Sequence, residues 1–283
     1  MKRVDPTVKI GVVLHWPYNE YADWNGQVLP QACAAADFGI NHWYAGSTVA
    51  SLLTIARTDI PNMFRDLRLQ LTMASNNCGT KGATMPIAVT EWGAQYYPDL
   101  SPIDRAFNPR PPATMRTQTQ VGGIFAALSY AHFMEQGALA VHWLELHSAT
   151  YLGETDTPAW GYHGQQMAHY LAEGGDTMVR ATVSNAGTLM TSLQTHAAIH
   201  KVGGGVSVML TNTSPTIDAN VTVNLTGGTT TFACVGTRHA YLPLPPDLDG
   251  TVTSAPIFAP PGGTSVTVSV PAYSVIVVSF PKG

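Results

Sequence analysis

The feature that most constrains this chain is a change of rhythm near residue 175. Before it, short apolar runs alternate with helical patterns. VKIGVVL (Val8 to Leu14), DFGINHWY (Asp37 to Tyr44), PIAVTE (Pro86 to Glu91) and ALAVHWL (Ala138 to Leu144) read as strands. Helical spacing is carried by Val28 to Ala36, by Thr48 to Met73 with a break near Pro61, by Gln118 to Glu135, and by His163 to Glu173 before Gly174 and Gly175. Strands that are apolar throughout and separated by helices predict βα units around a parallel sheet buried on both faces. After Gly175 only short Val/Thr/Ile-rich runs remain, such as VSVMLTN, ANVTVNL, TSVTVSV and YSVIVVSF, set apart by Gly, Pro and Asn. Val221, Val223 and Leu225 alternate with Thr222, Asn224 and Thr226, the pattern of an antiparallel β-sandwich. The expected division is therefore an α/β domain over 1–175 and an all-β domain over 176–283.

Charge narrows the partners. With 14 Lys and Arg against 18 Asp and Glu, the net charge is −4, and no basic cluster stands out, so a nucleic-acid partner is not expected. The 11% of charged residues leaves a surface of Thr, Ser, Asn and Gln suited to a neutral substrate. No apolar run is long enough for a membrane-spanning helix, and the start, interrupted by Asp5 and Pro6, reads as a strand rather than a signal peptide. Localisation stays open, secretion included. Cys33, Cys78 and Cys234 form no CxxC pair; one disulfide could form among them, and spacing does not say which. His142 and His147 lack a metal-site spacing, so neither metal nor cofactor is expected.

In parallel α/β architectures chemistry collects at the C-terminal ends of strands. Here those ends read His15-Trp16, His42-Trp43-Tyr44, Thr90-Glu91-Trp92 and His142-Trp143-Leu144-Glu145. His42 and Tyr44, two apart, project to one side of their strand. Glu91 ends an apolar strand, where a carboxylate has no structural reason to be. A carboxylate flanked by His, Tyr and Trp suits a nucleophile that attacks an anomeric carbon, with aromatic faces stacking on the sugar. The candidate site is therefore Glu91 as nucleophile, with His42, Tyr44, Trp143, Trp16 and Trp92 binding substrate. Further aromatics at strand ends, among them Tyr18, Tyr21, Trp24, Tyr96, Tyr97 and Trp160, suit a sugar cleft.

PIAVTEWG resembles the seventh, nucleophile-bearing strand of clan A glycoside hydrolases. HWY resembles the end of their sixth strand, VHW their eighth, and VDPTVKIG their fifth, most closely as it stands in family 51, the α-L-arabinofuranosidases and related endoglucanases. The resemblance implies a retaining glycosidase of plant cell-wall polysaccharide, built as strands five to eight of a (β/α)8 barrel followed by a β-sandwich. It also implies that the acid/base Glu, which follows an Asn on strand four, would precede residue 1. A full barrel takes roughly 250 residues, more than the α/β part offers, so the chain reads as part of one. Asn19-Glu20 resembles the missing pair, but the stretch before DFGINHWY has room for one helix and not for another strand. Glu20 is thus the weaker acid/base candidate, and the isolated chain is expected to have little or no activity. The rival readings are a non-catalytic carbohydrate-binding protein and an assembly module whose open barrel edges pair with a second copy.

Overall fold

A computed structural model of the chain describes all residues except 47–48, 74–75, 77, 96–115, 145–151, 153–156, 228–230 and 243–250. Contacts divide it into two compact units: Met1–Gly46, Thr54–Gln95 and His132–Glu145 in one, and Ser47–Leu53, Tyr96–Ala131 and Leu146–Gly283 in the other.

The first unit is built on a parallel sheet in sequence order: β1 (Gly11–Val13), β2 (Phe38–Gly46), β3 (Ile87–Gln95) and β4 (Ala140–Trp143). Its helices are α1 (Trp24–Ala32), most of α2 (Val49–Thr72), α3 (Gly79–Thr84) and the last residues of α4 (Arg116–Glu135), whose earlier part belongs to the second unit. α2 continues through Pro61 instead of breaking there. Its buried residues Ala56, Ile60, Met63, Phe64, Leu67 and Leu71 recur at helical spacing, and burying that stripe outweighs one missing backbone bond. α1 begins four residues earlier than the apolar pattern suggests, because the Glu20 carboxylate accepts the Asn25 N–H and so caps the first turn. A disulfide joins Cys33, at the end of α1, to Cys78, just before α3.

One face of this sheet is dry. Val12, Leu14, Asn41, Trp43, Val89 and Trp92 are buried on it, and Phe133 of α4 meets Trp43 and Trp92 with ring centroids 5.7 and 5.6 Å apart. The other face is not covered as expected. Val13 is 50% exposed there, and His42 and His142 are exposed. The polar and exposed residues occupy alternate positions of runs that look uniformly apolar, while Phe133 meets the opposite side.

The second unit is antiparallel. Six strands pair in the order β10-β9-β12-β7-β6-β5: Val252–Phe258, Val235–Tyr241, Ser274–Phe280, Val206–Asn212, Leu193–Ile199 and Thr177–Val179. β8 (Ala219–Asn224) and β11 (Ser265–Val270) form a separate pair. Val208, Leu210, Ile276, Val278 and Phe280 from the larger sheet share one core with Val266, Val268, Val221 and Val223 from the smaller. The alternation read in β8 is realised, with Asn220, Thr222 and Asn224 exposed. β7 is buried at every position, because the far side of its sheet is covered too. There α4 comes close to β9: a Cβ on Gly123 would lie 2.4 Å from the Tyr241 hydroxyl, so only glycine admits that approach. α5 (Trp160–Leu171) packs beside it, with His163 stacked on Tyr241 at 5.9 Å.

Candidate active site

The local geometry of β3 sets the site. Asn41 pairs with Val89, but the next pair is His42 with Glu91; on the other side Val89 pairs with Val141 and Trp92 with Trp143. β3 therefore carries an extra residue around Thr90, a bulge of the kind that re-aims side chains. Its effect is to send Val89 and Trp92 to the buried face and leave Glu91 beside His42 on the open one.

Glu91 is gripped from β2. Tyr44 Oη donates to Glu91 Oε2 at 2.7 Å, and His42 Nδ1 lies 3.3 Å from the same oxygen. The Tyr44 bond has the ordinary length of a well-formed O–H···O hydrogen bond. The Glu91 side chain is 37% exposed and that of His42 41%, so the carboxylate is oriented yet reachable. Gly93, two residues beyond Glu91, lies between the rings of Tyr44 and Trp143. A Cβ there would lie 3.4 Å from the Leu144 carbonyl oxygen, 3.9 Å from Tyr44 and 4.0 Å from Trp143, all ordinary contact distances. A carboxylate held at one oxygen and open to a ligand can act as nucleophile or base.

Trp143 is partly exposed and stands edge-on to Trp92, with centroids 4.6 Å apart. Trp92 and Trp16, expected to face substrate, are instead 0% and 1% exposed and offer no ring surface to a ligand. Trp16 supports the site from beneath: its Nε1 donates to the His42 carbonyl at 2.7 Å, and its ring packs on Phe64. Trp160 is likewise buried, filling the space left by Gly122. The oxygens of Glu20 accept from the Asn25 N–H at 2.5 Å and from Gln70 Nε2 at 2.7 Å, which ties it to the start of α1 and to α2. Tyr18, Tyr21 and Trp24 are exposed in the segment after β1. Tyr96, Tyr97, Glu145, His147 and the proline-rich segment from Asp99 to Pro112 lie outside the described residues.

Sequence reasoning missed two members. Thr90 Oγ1 lies 3.2 Å from His42 Nε2. Asn25, 1% exposed, holds both the N–H and the carbonyl of His15 through its side chain. The hydroxyl directly before Glu91 was a legible signal for Thr90; nothing in the pattern marked Asn25.

No family model and no curated protein matches this sequence. Solved structures do. The α-L-arabinofuranosidase of Thermotoga maritima superposes with a TM-score of 0.69 at 16% identity, over 99% of this chain and 59% of that one. The fold is that of glycoside hydrolases of families 51 and 44. A family 51 α-L-arabinofuranosidase of Bifidobacterium longum gives a TM-score of 0.64 at 16% identity, covering 99% of this chain and 60% of its own. A Paenibacillus polymyxa xyloglucanase of family 44 gives 0.66 at 13% identity, covering 99% and 58%. This chain thus spans about three-fifths of the length of each of these three glycoside hydrolases.

Proposed function

We propose that this chain is the nucleophile-bearing part of a retaining glycoside hydrolase acting on plant cell-wall polysaccharide, of arabinofuranosidase or endo-β-1,4-glucanase type. In this reading residues 1–175 form strands five to eight of a (β/α)8 barrel and 176–283 a β-sandwich. The observation that carries it is the part-exposed Glu91 at the C-terminal end of a parallel strand, held by Tyr44 and His42 of the neighbouring one. Folds shared with arabinofuranosidases and a xyloglucanase support the substrate class.

Glu91 would attack the anomeric carbon as the bond to the leaving oxygen breaks, forming a glycosyl ester. Water would then cleave that ester, completing a double displacement with retention. Tyr44 donates to the carboxylate and aims it, with His42 beside it. A second carboxyl, about 5–5.5 Å away, must give the leaving oxygen its proton and later take one from water. Glu20 fills that role poorly, because one of its oxygens accepts from Asn25 at the start of α1 and the other from Gln70 of α2. We assign the acid to a strand outside these residues.

This division of labour is testable. A 2,4-dinitrophenolate leaves without protonation, so the chain should release it from activated arabinofuranosides, cellobiosides or xylobiosides while leaving oligosaccharides largely intact. Glu91→Gln should abolish that release, a loss on the order of a thousandfold or more. No release from any of these glycosides, or release that survives Glu91→Gln, would contradict the proposal. Robust oligosaccharide cleavage would place the acid within residues 1–283 and revive Glu20.

A further inference from the structure

We propose that Thr90 is a positioning residue that fixes the tautomer of His42, so that the neutral ring presents its N–H to Glu91. The catalytic value of this rests on reading Glu91 as nucleophile; the tautomer itself does not.

The two ring nitrogens of His42 meet different partners. Nδ1 lies 3.3 Å from Glu91 Oε2, and Nε2 lies 3.2 Å from Thr90 Oγ1. An ionised carboxylate has no hydrogen to offer, and a bare Nδ1 lone pair 3.3 Å from it would be repelled, so the proton belongs on Nδ1. In a neutral imidazole Nε2 is then bare and needs a donor. A hydroxyl, whose hydrogen rotates to suit, can be that donor. Successive side chains on a regular strand point to opposite faces, so residues 90 and 91 should not both reach one ring. The bulge in β3 removes that restriction. It thereby links Thr90, His42 and Glu91 in a chain whose polarity the hydroxyl sets. A ring held this way turns its N–H towards Glu91 without needing a positive charge, and it is kept from acting as a base towards the nucleophile.

The test is long-range proton–nitrogen NMR of the intact chain labelled at histidine nitrogens, at about pH 8, above the ordinary imidazole range. His42→Gln assigns the signals. The wild-type ring should be protonated on Nδ1. Thr90→Val, nearly isosteric, should shift the tautomer ratio towards Nε2–H by about fivefold, and Thr90→Ser should restore it. A wild-type ring protonated on Nε2 overturns the proposal outright, whatever the variants do. An unchanged ratio in a folded Thr90→Val protein overturns it equally. If the tautomer behaves as stated but no Glu91-dependent hydrolysis is found, the functional reading fails and this inference stands; the converse result separates them the other way.

Discussion

Among the described residues, a carboxylate, an imidazole and a hydroxyl come together twice, with opposite outcomes. In the first unit Glu91, His42 and Thr90 stand 3.3 and 3.2 Å apart in sequence of contact. In the second, Asp176 Oδ2 is 2.7 Å from His200 Nδ1, and His200 Nε2 is 2.7 Å from Ser207 Oγ, which in turn meets Ser279 Oγ at 2.7 Å. The second array has the tighter geometry and the connectivity of a hydrolytic triad. Yet Ser207 is 0% exposed on a fully buried strand, so no acyl group could reach it. Asp176 is 8% exposed and also accepts the N–H groups of Glu173 and Lys201. It fastens the end of β6 to the segment after α5. Connectivity alone does not make a reactive site; the looser array is the one a substrate can touch.

The contrast can be broken at several points. Trp92 is the buried neighbour of the accessible Glu91, so Trp92→Ala should destabilise by about 3–5 kcal/mol, read as a lowered denaturation midpoint. Glu91→Gln should leave that midpoint within about 0.5 kcal/mol of wild type. A mild Trp92→Ala would mean that β3 is not divided into a dry and an open side as described.

Asp176→Asn should cost about 2–3 kcal/mol, since it weakens several charge-assisted bonds at a buried carboxylate, while dinitrophenyl glycoside hydrolysis stays unchanged. Its pH dependence has a definite sign. Burial alone would push the Asp176 carboxyl up, but bonds from the Glu173 and Lys201 N–H groups and from His200 hold it below its ordinary value. With the folded value below an unfolded one of about 3.9, the contribution is complete above that pH and is lost as pH falls through the folded value. Thermal melts of wild type and Asp176→Asn should therefore converge in acid. Parallel melts down to pH 2 would show that Asp176 is not held by these bonds.

The smallest effect belongs to Tyr44→Phe. It removes one partly solvated bond to Glu91, and turnover of activated glycosides should fall about tenfold with stability little changed. A null effect on turnover would place Glu91 outside the chemistry or make His42 its sufficient partner.

Much of this was legible in the chain. The four parallel strands followed from their apolar runs, and the meeting of Glu91, His42 and Tyr44 from strand-end position and two-residue spacing. The bulge at Thr90 was not legible, because one inserted residue appears only in the register against both neighbours. Trp16 and Trp92 show the same limit. An aromatic at a strand end faces either cleft or core, and only the position of Phe64 and Phe133 decides which. The Cys33–Cys78 bond was out of reach for another reason: three cysteines allow three pairings, and proximity comes from how α1 and α3 pack.

The central claim is that Glu91 is a nucleophile, and covalent trapping tests it most directly. A 2-deoxy-2-fluoro glycosyl fluoride carries a leaving group that needs little acid assistance, and its glycosyl ester is slow to hydrolyse. Incubating the intact chain with the arabinofuranosyl, xylobiosyl and cellobiosyl reagents, then mapping peptides by mass spectrometry, should place one sugar on Glu91 and none on Glu91→Gln. A label on a different carboxylate, or no label from any reagent on the folded chain, would contradict the account.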